Sequence, residues 1–160
     1  MQPTEIITKF YTAFARGDSA AMGACYHPEV TFRDPVFGEL HGDEARGMWE
    51  MLLSRKSAEL QVEFANVRGE GDTGSADWTA RYRYGKDRRP VTNVVHAEFR
   101  FRDGLIYEHT DTFSSYRWAR QALGPAGWLL GWTPFLRGKV RATARQQLTG
   151  YLSSRAPAQK

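Results

Sequence analysis

Glu29-Val-Thr-Phe-Arg-Asp34-Pro-Val-Phe-Gly-Glu-Leu-His-Gly42 is the stretch on which the fold turns. Its first half alternates, so Val30, Phe32 and Asp34 fall on one face of a short strand and the carboxylate points with the residues that line the interior. Pro35 ends the strand, because it brings no N–H to a ladder. An acid at the inward end of a strand loses water around it, which raises its pKa and makes it a candidate proton acceptor. The simpler reading is that Asp34 caps the turn that follows, as Asp in an Asp-Pro pair commonly does.

Outward from this stretch the chain has a legible order. Thr4 to Arg16 reads as a helix, with Ile6, Ile7, Phe10, Tyr11 and Phe14 at three- and four-residue spacing and Gly17 placed to stop it. Asp18 caps a second short helix through Tyr26. Gly42-Asp43-Glu44 opens a third, through about Ser54, carrying Met48, Trp49, Met51, Leu52 and Leu53. From Ala58 to Ser114 the period changes to two, which predicts strands.

Three helices, with a strand and an Asp-Pro between the second and third and then a run of strands, form an order that resembles the nuclear transport factor 2-like superfamily. Phe10-Tyr-Thr-Ala-Phe-Ala-Arg-Gly-Asp18, followed by Val30-Thr-Phe-Arg-Asp-Pro-Val-Phe-Gly-Glu-Leu-His-Gly42, is similar to ketosteroid isomerases and to SnoaL-like polyketide cyclases and hydroxylases. The resemblance spans residues 4 to 118. It implies an α+β fold, a cone-shaped roll of three N-terminal helices on a curved antiparallel sheet, with a homodimer as the default assembly. It also implies that Asp34 is a general base, the role of the Asp before this Pro in the isomerases. Those enzymes stabilise the enolate oxygen with a Tyr on the first helix and a protonated Asp on a later strand. Phe10 and Ala97 stand at the corresponding positions, and neither can donate a hydrogen bond. Tyr11 is one step, about 100°, around the helix from Phe10. Steroid isomerisation by the family route is not expected.

The last strands offer other chemistry. In Leu105-Ile-Tyr-Glu-His-Thr-Asp-Thr-Phe113, alternation places Tyr107, His109, Asp111 and Phe113 on one face. A two-residue Asp103-Gly104 hairpin loop would set His109 against Glu98 and Asp111 against His96 on the polar face. A three-residue Arg102-Asp103-Gly104 loop sets His109 against Ala97, Asp111 against Val95 and Tyr107 against Phe99, and is preferred because it buries Phe113. His109 and Asp111 are then interior, as a catalytic pair or as a satisfied polar pair; SnoaL-like cyclases also carry acid and His residues on their late strands.

The expected ligand walls come from the same alternation. Phe10 and Tyr11 lie on the first helix and Trp49 on the third. Trp78 and Tyr82 share a face with Ala76, Ala80 and Tyr84; Asn93, Ala97 and Phe99 follow on the next strand, and Tyr107 on the last. With Asp34, His109 and Asp111 they should line one largely apolar cavity between the first helix and the sheet. Arg81, Arg83, Glu98, Arg100 and Arg102 fall on the opposite face, solvated or in a polar dimer contact.

Composition narrows the class. At 160 residues the chain suits one core of ordinary size. Its N-terminus lacks the basic-then-apolar pattern of a signal peptide, and no apolar run is long enough to span a bilayer. Cys25, with no second Cys to bridge, fits a reducing cytoplasm. His27, His41, His96 and His109 lack metal-ligand spacing and there is no Gly-rich phosphate loop, so neither metal nor cofactor is expected.

Every one of the 18 carboxylates lies at or before Asp111, whereas basic residues continue to the end. The domain reading is therefore 1–118 for the roll and 119–160 for a basic helical extension. Ser114 to Leu123 reads as the last strand running into a helix that ends at Gly124-Pro125, and Gly127-Trp-Leu-Leu-Gly-Trp132 as an apolar linker. Pro134 starts another helix, with Leu136, Val140, Ala144, Leu148, Tyr151 and Leu152 on one stripe and Arg137, Arg141 and Arg145 on another. The preferred reading packs the apolar stripe on the domain or on a second subunit and leaves the arginines to water. Peripheral membrane contact is the rival, because Trp128, Trp132, Phe135 and a basic face suit headgroups. Nucleic-acid binding has no motif to support it.

Three functions stay open on this sequence. The first is a cofactor-independent isomerase, cyclase, dehydratase or epoxide hydrolase acting on a small apolar cyclic or polyketide-like molecule. The second is a binding protein using the same cavity without turnover, and the third an interaction scaffold. Fold does not choose among them.

Overall fold

The computed structural model describes residues 2–54 and 60–155. Helix α1 (Pro3–Ala15) turns Ile6, Ile7, Phe10, Tyr11 and Phe14 inward, all buried. Asp18 Oδ1 accepts the Ala21 N–H at 3.0 Å and opens α2 (Ser19–Ala24). Tyr26, expected at the end of that helix, instead begins β1 (Tyr26–Asp34). Pro28 accounts for the early stop, since it excludes helix around itself and holds His27 extended.

A short strand that alternation did not reveal, β2 (Gly38–His41), folds back on β1 with Asp34 opposite Gly38. Pro35-Val36-Phe37 is thus the tip of a tight hairpin, and Gly38 takes the positive φ of 75° at its exit. Helix α3 (Asp43–Ser54) follows. The strand region, expected from Ala58, has its start outside the described residues; β3 (Gln61–Glu70), β4 (Thr73–Tyr84), β5 (Arg89–Arg102) and β6 (Leu105–Thr112) form the rest of the sheet. Strand order is β2-β1-β6-β5-β4-β3, antiparallel throughout except that β1 runs parallel to β6.

The β5–β6 hairpin corrects the expected register. Its loop is the two-residue Asp103-Gly104, both at positive φ (55° and 75°), with Arg102 opposite Leu105. The pairing then slips by one residue between Arg100 and Phe101, so that Phe99 faces His109 and Ala97 faces Asp111. Tyr107 is the extra residue of this bulge. One inserted residue reverses which side chains point inward: Ile106 is buried ahead of the bulge and His109 and Asp111 beyond it. A two-residue turn, which alone would have put the pair on the polar face, is thereby reconciled with an interior His and Asp.

The tail is built onto the domain. Ser114 caps α4 (Ser115–Leu123), whose Trp118, Ala119 and Ala122 pack with Val91 of β5. The expected boundary between residues 118 and 119 falls inside this helix. The apolar linker contains a short helix, α5 (Pro125–Leu130), and α6 (Pro134–Arg155) then returns along the β1–β2 hairpin and α3. Ala144 and Leu148 join the main core, and Leu152 lies so close over Gly47 that a Cβ there would collide with it. The basic stripe is not simply left to water. Arg141 Nη2 donates to Pro35 O at 3.2 Å, and Arg145 Nη1 to Phe37 O at 2.8 Å and Glu39 O at 3.1 Å. A hairpin tip leaves carbonyls without ladder partners, and a guanidinium fork can meet several at once. Arg155 pairs with Asp43 and Glu50 of α3.

Candidate functional site

Asp34 stands where β1 ends, beneath the tail. Its Oδ1 accepts the N–H groups of Val36 (3.0 Å) and Phe37 (2.6 Å), so the carboxyl does close the turn after it. Among the described residues no donor meets Oδ2. The residue keeps partial solvent contact, but the protein packed around its carboxyl removes enough water to push the pKa up to about 7. The Phe37 N–H opposes the rise, the charge of Asp111 adds to it, and the Val36 N–H and Arg141 oppose it more weakly.

His109 and Asp111 lie deeper, fully inside the cone. His109 Nε2 is 2.8 Å from Asp111 Oδ1, and its Nδ1 is 2.8 Å from the Tyr26 hydroxyl. Trp49 Nε1 donates to that hydroxyl at 2.8 Å, and Trp78 Nε1 donates to Asp111 Oδ1 at 3.4 Å. One proton arrangement satisfies all five groups. Nε2–H donates to the carboxylate, the Tyr26 O–H donates to Nδ1, and the two indoles donate at either end. Rings surround the imidazole, with centroids of Phe10, Phe32, Trp49 and Phe99 at 5.4, 5.1, 6.3 and 4.5 Å from its own.

The structure therefore corrects the expectation of an open cavity at this depth. Phe10, Tyr11, Trp49, Trp78, Ala97 and Phe99 are all buried and pack on one another, because large aromatics on both facing layers fill the volume they enclose. A niche of about 20 Å³ remains higher up, between Pro35-Val36 and the tail residues Trp118, Leu136 and Val140. The larger concavity, about 510 Å³, is on the polar outer face of the sheet, with Arg68, Glu98, Arg100 and Glu108 along it. Tyr107 is carried out of the interior group by the bulge and lies between the Arg102 guanidinium, 3.8 Å above its ring, and His27. Asn93 is half-buried opposite Ala80.

Tyr82 belongs to the Asp34 end. Its hydroxyl oxygen accepts from Trp118 Nε1 at 2.9 Å, and burial pushes its pKa up to about 12, with Asp34 contributing. Tyr11 is buried with its hydroxyl unpartnered among the described residues, and burial raises its pKa well above the ordinary value. Sequence reasoning missed Tyr26, Trp118 and the two hairpin-binding arginines. The alternation Val30-Phe32-Asp34 breaks before Tyr26, at an exposed Pro28 and a shift of register between Tyr26 and Thr31, so nothing local marks Tyr26, Trp118 or the arginines. Among the described residues no three His, Cys, Asp or Glu side chains form a metal-ligand cluster.

Comparison with known proteins gives a consistent picture. Residues 7–109 match the family model described as SnoaL-like domain. No protein of curated function matches the sequence. TerC, crystallised with polyporic acid, is 16% identical with a TM-score of 0.64, over 74% of this chain and 97% of TerC. A hypothetical protein from Catenulispora acidiphila with a ketosteroid isomerase-like fold, in complex with trimethylamine, is 20% identical with a TM-score of 0.62, over 80% of this chain and 98% of that one. IdmH from Streptomyces antibioticus, a candidate polyketide cyclase, is 19% identical with a TM-score of 0.63, over 76% of this chain and 98% of IdmH. At these identities the likeness is one of fold.

Proposed function

This chain belongs to the SnoaL-like domain family, and on that premise we propose that it is a cofactor-independent enzyme that abstracts a proton from a small apolar cyclic or polyketide-like molecule, in isomerase, cyclase or dehydratase chemistry. The observation that carries this reading is Asp34. Its pKa of about 7 lets it take up and give back a proton near neutrality, and its Oδ1 is anchored while Oδ2 meets no donor among the described residues. In this mechanism a substrate carbon yields its proton to Oδ2, and the electron pair moves onto the adjoining carbonyl oxygen. That oxygen needs a donor. Tyr82 fits, since it accepts from Trp118 and keeps its own proton to give.

His109 and Asp111 are assigned a positioning role. Every proton of their network is already committed, and the Asp111 charge helps hold Asp34 at its raised pKa. Ligand sites of this kind enclose several hundred Å³, so binding beside Asp34 requires the tail helices or the interior aromatics to move and enlarge the niche at Pro35 and Val36. A binding protein without turnover is the second reading, favoured by the committed hydrogen bonds of His109 and Asp111, which offer Asp34 no catalytic partner.

The test is a thermal-shift screen of cyclic ketones, polyketide-like aromatics and epoxides, followed by product analysis on any hit. Wild type should convert a hit with kcat/KM rising through about pH 7. Asp34→Asn should bind it but turn over at least ~100-fold more slowly. A hit that wild type binds and never converts would replace the enzyme reading with the binding one.

A further inference from the structure

We propose that the corner formed by α5 and the first turn of α6 docks on an anionic membrane surface. The proposal is independent of the catalytic reading. Five large apolar side chains stand open to solvent within this short stretch: Trp128 (56% exposed), Leu129 (73%), Leu130 (48%), Trp132 (64%) and Phe135 (76%). The inner side of the corner is fixed by a close backbone approach, Gly127 lying against the Ala119 carbonyl, so the corner cannot roll these side chains inward. Trp132 Nε1 donates to Leu129 O at 3.1 Å, and the Trp128 ring lies beneath the Arg120 guanidinium at 3.8 Å.

The charge pattern identifies the occupant. Residues 121–136 contain no charged side chain, and they are bracketed by Arg117 and Arg120 on one side and by Arg137, Lys139 and Arg141 on the other, with no carboxylate anywhere after Asp111. A neutral apolar centre rich in Trp with basic flanks matches the layering of a bilayer interface, where indoles sit at headgroup level and cations meet anionic lipid. The segment does not cross the bilayer, since no described helix is long and apolar enough. Leu136 and Arg137 also border the niche against Pro35 and Val36, the two residues that follow Asp34. A docked molecule would therefore hold that niche against the lipid interface, where apolar molecules concentrate.

Flotation of the full chain with phosphatidylcholine vesicles, with and without phosphatidylglycerol, at about 0.1 M salt tests this. The chain should float with the anionic vesicles and not with the neutral ones. Trp132→Ser/Phe135→Ser should weaken flotation at least ~10-fold while keeping a single cooperative melt, because both side chains are mostly exposed and only the Trp132 hydrogen bond to Leu129 O is lost. Arg137→Gln/Lys139→Gln should weaken it and flatten its salt dependence. Absence of flotation with anionic vesicles, equal flotation of the apolar variant, or equal flotation on neutral lipid overturns the proposal. So does a wild-type dimer that the apolar variant converts to monomer in sedimentation without vesicles, which would assign the corner to a second copy of this chain.

Discussion

At Asp34 two sets of forces pull on one carboxyl group: the Val36 and Phe37 N–H groups favour its charged form, while lost water and the Asp111 charge disfavour it. The second set prevails, raising the pKa from 3.8 to about 7. A folded-state value above the unfolded one means the native state holds this proton more tightly. The stabilisation is full below about pH 4 and is lost as pH rises through about 7. Asp34→Asn, which keeps an oxygen for the turn, should therefore match wild-type stability near pH 4 and exceed it at pH 8 by ~1–3 kcal/mol, allowing for partial solvent contact; urea melts at the two pH values check this. Tyr26 carries the opposite expectation. Its hydroxyl stands between Trp49 Nε1 and His109 Nδ1, so Tyr26→Phe leaves two buried groups without a partner and should cost about 2–4 kcal/mol in chemical denaturation. Phenylalanine retains the ring packing, so a loss of that size would measure the polar network itself.

Among the elements, α6 has the largest bearing on the site. Its Arg141 and Arg145 bind the carbonyls of the hairpin tip that follows Asp34, while Ala144 and Leu148 enter the core. The water kept from Asp34 is therefore expected to be excluded in part by this helix. A chain lacking residues 134–160 should show the Asp34 carboxyl titrating well below 7, toward its ordinary value near 4. Carbon-detected NMR of the side-chain carboxyl reads this directly. Loss of the Arg141 charge acts the other way, but desolvation is the largest cause of the shift. A titration unmoved from about 7 would place the burial entirely in the hairpin and sheet.

For the whole molecule, the roll and the tail share one apolar interior. Leu148 of α6 belongs to the same core cluster as Phe10 of α1, Phe32 of β1 and Trp78 of β4. Heating should accordingly produce one cooperative transition, with calorimetric and van't Hoff enthalpies in agreement. Two resolved transitions would show the tail melting as a separate unit. The molecule is also electrically lopsided: every carboxylate precedes α4, and the chain beyond Asp111 carries only positive charge. Long-range attraction to acidic surfaces thus belongs to the tail rather than to the sheet.

From its residues alone this chain determined its three N-terminal helices and the run of strands after them, the inward alternation of Val30, Phe32 and Asp34, the stop at Pro35 and the start of a last helix at Pro134, but not β2 or α5. These are local matters, set by periodicity, by proline's missing N–H and by the resemblance of a short segment to known relatives. The tertiary structure alone decided the rest. The bulge at Tyr107 turns His109 and Asp111 inward from a two-residue loop that, read locally, points them outward. Tyr26 meets His109 across 83 residues of chain, and Arg145 reaches Phe37 across 108. Whether the cone is open or filled depends on how aromatic volumes from four segments fit together. The pKa of Asp34 follows from the protein packed around it, a long-range quantity that no window of sequence contains.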